Sequence, residues 1–100
     1  MTDFEEEYRG PATLVVDGEP AAVEVRLSVR FEPVEGRYRW AGRTGPQEAL
    51  LARVRAGVRE AILRIEGGAS VPVRLGDPDP WGGVRLTGVG RPPWSTVGGV

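Results

Sequence analysis

The chain has 100 residues and a formal net charge of −1; it contains no His, Cys or Lys, so all thirteen basic residues are Arg. That length makes one domain with a modest core, and the missing side chains exclude disulfides, nucleophilic triads with a His, Cys or Lys base, and Cys-type zinc sites. The near-neutral balance offers no broad field for nucleic acid or an anionic membrane, so neither is an expected partner.

Met1–Glu7 is acidic and expected to be loose, and it lacks the basic start and apolar run of a signal peptide. With no membrane-length apolar stretch either, the cytoplasm is the expected location. A single β domain is expected over 8–94, with 95–100 as a tail. Gly10-Pro11 marks the entry to structure, and Ala12–Asp17 reads as a short strand. Asp17-Gly18 is a hairpin signal, because both residues tolerate positive φ. Val23, Val25, Leu27, Val29 and Phe31 then alternate with Glu24, Arg26, Ser28, Arg30 and Glu32, which predicts a long strand with one buried and one wet face. The charges on the wet face are expected to pair across to neighbouring strands.

Pro33–Gly36 is the next turn, and Arg37–Arg43 a third strand with Tyr38, Trp40 and Gly42 on one face. Thr44 is a candidate helix cap ahead of Pro46. Helical spacing from Leu51 to Ile65 permits one helix over 46–65. Gly57 and the alternation of Ala61, Leu63 and Ile65 instead favour a short helix over 46–55 and a strand over 59–66. After a turn at Glu66–Ala69, Ser70–Leu75 is a fifth strand, in which Pro72 argues for an edge or a bulge. An Asp77-Pro78-Asp79-Pro80-Trp81-Gly82-Gly83 loop, a sixth strand from Val84 to Val89 and a rigid Arg91-Pro92-Pro93-Trp94 exit complete the domain. The expected fold is mainly β: a small antiparallel meander that forms a barrel or half-barrel of about six strands, with one short helix after the third.

Three segments carry a family signature: Tyr8-Arg9-Gly10-Pro11-Ala12; Phe31-Glu32-Pro33 with Gly36-Arg37-Tyr38, Trp40 and Gly42-Arg43; and Asp79-Pro80-Trp81-Gly82 with Thr87-Gly88-Val89-Gly90-Arg91-Pro92-Pro93. In this order they resemble the actinobacterial domain of unknown function 4873 family over about residues 8 to 94. The resemblance implies a small stand-alone protein, or a tail domain attached to a flavin-dependent monooxygenase of the Baeyer–Villiger type. It carries no catalytic residue with it. Trp94 stands where the family pattern has Phe, and Gly83 where it has Arg.

The chemical inventory is narrow. Asp77 and Asp79 suit an acid–base couple or a hard cation, but repeated Asp-Pro more simply makes a turn in which Asp accepts from nearby backbone N–H groups. Tyr38, Trp40, Trp81 and Trp94 could line an aromatic pocket, or fill core and interface. Arg85 and Arg91 could hold a carboxylate bidentately, or pair with Asp77, Asp79 or Glu32. Arg37, Arg39 and Arg43 form a cationic strip, or bridge to Glu24 and Glu32. The candidate ligand- or partner-binding residues are therefore Tyr38, Trp40, Asp79, Trp81, Arg85, Arg91 and Trp94. No catalytic residue, no metal and no cofactor of its own are expected. The function expected is a non-catalytic binding or accessory module, homodimeric, with a small-molecule ligand or a flavin-dependent monooxygenase as partner. The alternatives are a cofactor-free isomerase or cyclase with a barrel cavity, and a purely structural homodimer.

Overall fold

Asp17 and Gly18 both take positive φ, 52° and 81°, in the computed structural model of the chain, which describes residues 7–90 and 92–94. Positive φ at both central positions is what a tight two-residue hairpin demands. The turn joins β1 (Glu7–Val16) to β2 (Glu19–Glu32), with Val16 opposite Glu19 and an unbroken register down to Glu7 opposite Ser28. The entry expected at Gly10-Pro11 is thereby corrected: the strand runs through both residues and includes Glu7. Pro11 is tolerated because β1 pairs with β4 only over Thr13–Val15, so one side of the strand is free at Pro11. The Tyr8 hydroxyl donates to the Pro11 carbonyl at 2.6 Å and holds that end of the strand.

β3 (Arg37–Thr44), α1 (Glu48–Arg55), β4 (Glu60–Arg64), β5 (Ser70–Pro78) and β6 (Val84–Val89) follow. All strand pairs are antiparallel, in the order β1-β2-β3-β6-β5-β4, and β4 returns to β1 to close a barrel. The mainly β fold of six strands with a helix after the third is thus the one observed, and closure gives every strand a neighbour on each side.

The break in the ambiguous segment lies at Gly57. Its φ of 105° ends α1, with Gly57 N donating to Val54 O and Val58 N to Arg53 O, both at 3.0 Å. This is the glycine-terminated C-cap that satisfies the last carbonyls of a helix. The cap at the other end is Gln47, not Thr44: the Gln47 side chain accepts from Ala49 N at 2.9 Å and Leu50 N at 3.3 Å. Thr44 is buried and ties two strands instead, its hydroxyl accepting from Val84 N at 3.1 Å. β5 also outruns its expected end at Leu75. A register irregularity between Leu75 and Pro78 lets it continue through Gly76 and Asp77. Pro72 pairs with Ile62 of β4 ahead of the first β6 contact at Arg74, which is the edge-like position that its ring requires.

The barrel interior is packed with side chains. Leu14, Leu27, Leu63, Leu75, Leu86, Val84 and Trp40 are fully buried within one continuous core. α1 covers the end where β1 turns into β2, inserting Leu50 and Val54, with Gln47 Nε2 donating to Ala22 O at 3.2 Å. Pro92–Trp94 covers the other end: Ala69 N donates to Pro93 O at 3.0 Å, and the Trp94 ring stacks on Tyr8 with centroids 6.2 Å apart. Phe31 and Tyr38 share the parity of the buried face yet are exposed, since that stretch of the β2–β3 hairpin projects past the barrel end.

Gly42 marks the sharpest approach of two strands. A Cβ there would collide with the Arg26 carbonyl oxygen and the Leu27 Cα, all backbone that cannot swing aside. Gly45, three residues on, has only ordinary contact distances around the same position. Gly42→Ala is expected to destabilise the protein by about 3 kcal/mol, as overpacking against fixed atoms does. Gly45→Ala should stay within about 0.5 kcal/mol. Urea unfolding midpoints of the two variants check the contrast.

Candidate functional site

The residues singled out from the sequence are placed in three separate locations. Trp40 and Trp94 lie at the Pro92–Trp94 end of the barrel, edge to face with centroids 6.1 Å apart, and both indole N–H groups are buried without a hydrogen-bond partner. Trp40 lies so close to Gly88 that a Cβ there would enter its ring. Trp40 belongs to the buried core, and Trp94, partly buried, packs against it. Tyr38 makes an exposed edge contact with Phe31, centroids 5.1 Å apart. Arg91 lies outside the described residues.

Asp79, Trp81 and Arg85 belong to the third location. Asp79 Oδ1 accepts from Trp81 N at 2.9 Å and from Gly83 N at 2.8 Å, so its carboxylate organises the loop before β6. That turn leaves Trp81 69% exposed. The Arg43 guanidinium stands 5.1 Å from the Trp81 ring centroid, a cation–π contact that steadies both. Arg43 lies directly opposite Arg85 across the β3–β6 pair.

The row continues. Arg43 is opposite Arg26 on β2, and Arg26 is opposite Arg9 on β1. Four arginines therefore stand side by side across β1, β2, β3 and β6 on the outer face. Arg9 and Arg26 were not candidates from the sequence, and Arg43 was one only as part of a strip with Arg37 and Arg39. The expected cross-strand salt bridges from Arg37, Arg39 and Arg43 to Glu24 and Glu32 are corrected here as well. Among the described residues the ion pairs are Arg37 and Arg39 with Glu35, and Arg53 with Asp17 and Glu19. Among the described residues none of the four row arginines comes within 4.0 Å of a carboxylate. The reason is register: the strand pairing sets Arg against Arg, not Arg against Glu, and like charges directly opposite are destabilising.

Beside the row lies a parallel line of small residues, Ser28 opposite Ala41 and Ala41 opposite Thr87. Together they form an open groove of about 470 Å³, walled by the arginines, with Glu7 at its rim. A second open groove, of about 850 Å³, lies elsewhere on the outer face and includes Val15, Ile62, Pro72 and Val89. Among the described residues no three acidic side chains gather as a metal site needs, and no helix is long and apolar enough to cross a membrane.

With this geometry in hand, comparison with known proteins is informative. The model of a domain of unknown function, DUF4873, matches residues 5–96. The chain belongs to the DUF4873 family. It is 37% identical over 99 residues to the uncharacterized protein Rv0943c of Mycobacterium tuberculosis, and equally to Mb0968c of Mycobacterium bovis. Each alignment covers 97% of the chain but 27% of the relative, so the chain spans about a quarter of the length of the curated relatives it matches. No solved structure matches it.

Glu35 supplies the counter-charge for two arginines of the β2–β3 hairpin, Arg37 and Arg39. Arg39 Nη2 donates to Glu35 Oε1 at 2.9 Å and Arg37 Nε to the same oxygen at 3.2 Å. These bonds, Arg39 first, hold the Glu35 carboxyl below the ordinary glutamate range. A lowered folded pKa contributes stability above the unfolded value, and that contribution is lost as pH falls through the folded value. Carbon-detected NMR titration is expected to place the Glu35 midpoint below about 4.3, the unperturbed glutamate value. A midpoint at or above it would show that the two arginines do not hold the carboxylate in solution.

Proposed function

We propose that the chain is a non-catalytic binding module of the cytoplasm that serves a flavin-dependent monooxygenase as an accessory domain. The observation that carries the binding reading is the row of four arginines, without an ion pair among the described residues, set on the outside of a barrel whose interior is packed. A filled barrel leaves no internal chamber to preorganise a substrate, which favours binding over the cofactor-free isomerase or cyclase. The depleted inventory supports the same side: without His, Cys or Lys, proton transfer falls to Asp, Glu and Tyr, and Asp79 is occupied in its turn. The absence of cysteine suits a reducing compartment. The accessory role is supported by the relatives, in which the matched segment is about a quarter of a longer chain, and the monooxygenase by the family resemblance of the sequence.

Flavin content and turnover test this reading. The purified 100-residue chain is expected to hold no flavin and to catalyse no NADPH-dependent oxygenation. The full-length mycobacterial relative is expected to show the absorption bands of bound flavin. A flavin on the short chain, or turnover by it, would overturn the accessory role; a flavin-free relative would remove the monooxygenase as its partner.

A second reading, homodimerisation, is favoured by the larger groove. Ile62 and Val89 are large exposed apolar residues there, and a small domain gains from covering such surface. Sedimentation velocity is expected to show a dimer for the chain and a monomer for Ile62→Glu; a monomeric wild-type chain would remove this reading.

A further inference from the structure

We infer that the arginine row is a binding site for a linear polyphosphate, a small molecule with a run of two or more phosphate groups. The inference rests on the reading of the chain as a binding module and names the ligand class of its outer face.

Three features point to this chemistry. The first is charge in a line. Arg9, Arg26, Arg43 and Arg85 occupy successive strands in direct register. Three interstrand spacings of about 4.8 Å give the row a length of about 14 Å. A single carboxylate would compensate one guanidinium and leave the others facing one another. A chain of phosphates presents several negative charges to neighbouring guanidinium groups at once. Each guanidinium fork also matches two phosphate oxygens at once, as an ammonium cannot.

The second is access. Ser28, Ala41 and Thr87 line the groove beside the row, so no bulky side chain keeps a ligand away from the sheet. Glu7, two residues from Arg9, Glu24, two residues from Arg26, and Asp77, in the bulged stretch of β5 facing β6 beside Arg85, are exposed on this outer face. None of the three forms an ion pair with the row among the described residues, so the row is open to an anionic ligand.

The third is the end of the row. Arg43 is held over the Trp81 ring, and Trp81 is otherwise largely open to solvent. A steadied guanidinium loses less freedom when it binds. The exposed indole also offers a stacking surface for a planar group attached to the phosphates. Inorganic polyphosphate and a nucleoside polyphosphate share the phosphate run and differ in that planar group.

Isothermal titration calorimetry of the whole chain with sodium tripolyphosphate, at low salt and again at higher salt, tests the site. Binding is expected at low salt and should weaken as salt rises, as ion-pair binding does. The double variant Arg26→Gln/Arg85→Gln is expected to weaken it at least about tenfold. Arg64→Gln on β4, outside the groove, should leave it unchanged. The double variant should unfold at the same temperature as the wild type or higher, because like-charge contacts are removed, so a loss of binding cannot be ascribed to misfolding. ATP without metal then separates the sources. Tighter binding than tripolyphosphate, abolished as a difference by Trp81→Ala, assigns the site to a nucleoside polyphosphate; equal binding assigns it to the inorganic chain.

Absence of tripolyphosphate binding, equal binding by the double variant, or orthophosphate binding as tightly as tripolyphosphate would each overturn the inference. So would a single-stranded oligonucleotide binding about a hundredfold tighter, which would make nucleic acid the occupant. These failures leave the binding-module reading standing, since that reading falls only if the chain itself carries flavin or turns over substrate.

Discussion

Trp40 against Gly88 is the contact on which the barrel depends. The ring occupies the space that any side chain at position 88 would need, so β3 and β6 approach closely while the largest side chain of the core still fits inside. Trp94 then meets the same ring edge to face, and Tyr8 stacks on Trp94. One aromatic stack thus joins β1, β3 and the C-terminal turn, and it seals one end of the barrel. The other end is sealed by α1, whose two buried residues complete the core. A barrel of six strands has a narrow interior, and here side chains fill it.

Packing inside forces function outside. The inward positions of β2 from Val23 to Val29, those of β4, and Trp40 of β3 are used for the core, so the polar chemistry of the chain stands on the outer face. There the balance of charge is local, not global. The net charge of −1 hides a separation: Glu35 neutralises the arginines of the β2–β3 hairpin end, Asp17 and Glu19 hold Arg53 of the helix, and the row from Arg9 to Arg85 is left facing solvent. Exposed ion pairs of this kind contribute little to stability. The fold tolerates four opposed like charges because they are solvated, and the cation–π contact of Arg43 with Trp81 offsets part of the cost.

Several details were legible before any coordinates. The alternation from Val23 to Val29 and from Ala61 to Ile65 identifies buried faces because a pleated strand has a side-chain period of two. Gly57 signals the end of the helix because only a residue without Cβ enters the left-handed region at no cost. The Asp-Pro-Asp-Pro loop reads as a turn, and Asp79 accepts backbone N–H groups there as that reading requires. Other expectations failed for physical reasons. Thr44 is a good cap by type, but its hydroxyl is committed to Val84 of a strand distant in sequence. The aromatic residues look like a pocket by count, yet two are needed to seal the barrel, one sits on a projecting hairpin and one on a loop.

Two of the three pairings in the arginine row follow from turn length. A two-residue turn at Asp17-Gly18 makes the positions of opposed β1 and β2 residues sum to 35, which sets Arg9 against Arg26. The four residues Pro33–Gly36 between Glu32 and Arg37 make the next sum 69, which sets Arg26 against Arg43. Hairpin register is local, because the turn geometry transmits it strand to strand. The pairing of β3 with β6 is not local. It needs β4 and β5 to fold out as a hairpin between them in the chain, and β4 to reach round to β1. Only that tertiary closure brings Arg85 beside Arg43, and nothing within either segment encodes it. The sequence by itself determined the strands, the helix stop and the two hairpin registers, since each depends on backbone geometry over a few residues. The closed barrel, the tryptophan seal and the completed row were decided by long-range packing, where a filled interior and fully paired edges select one arrangement.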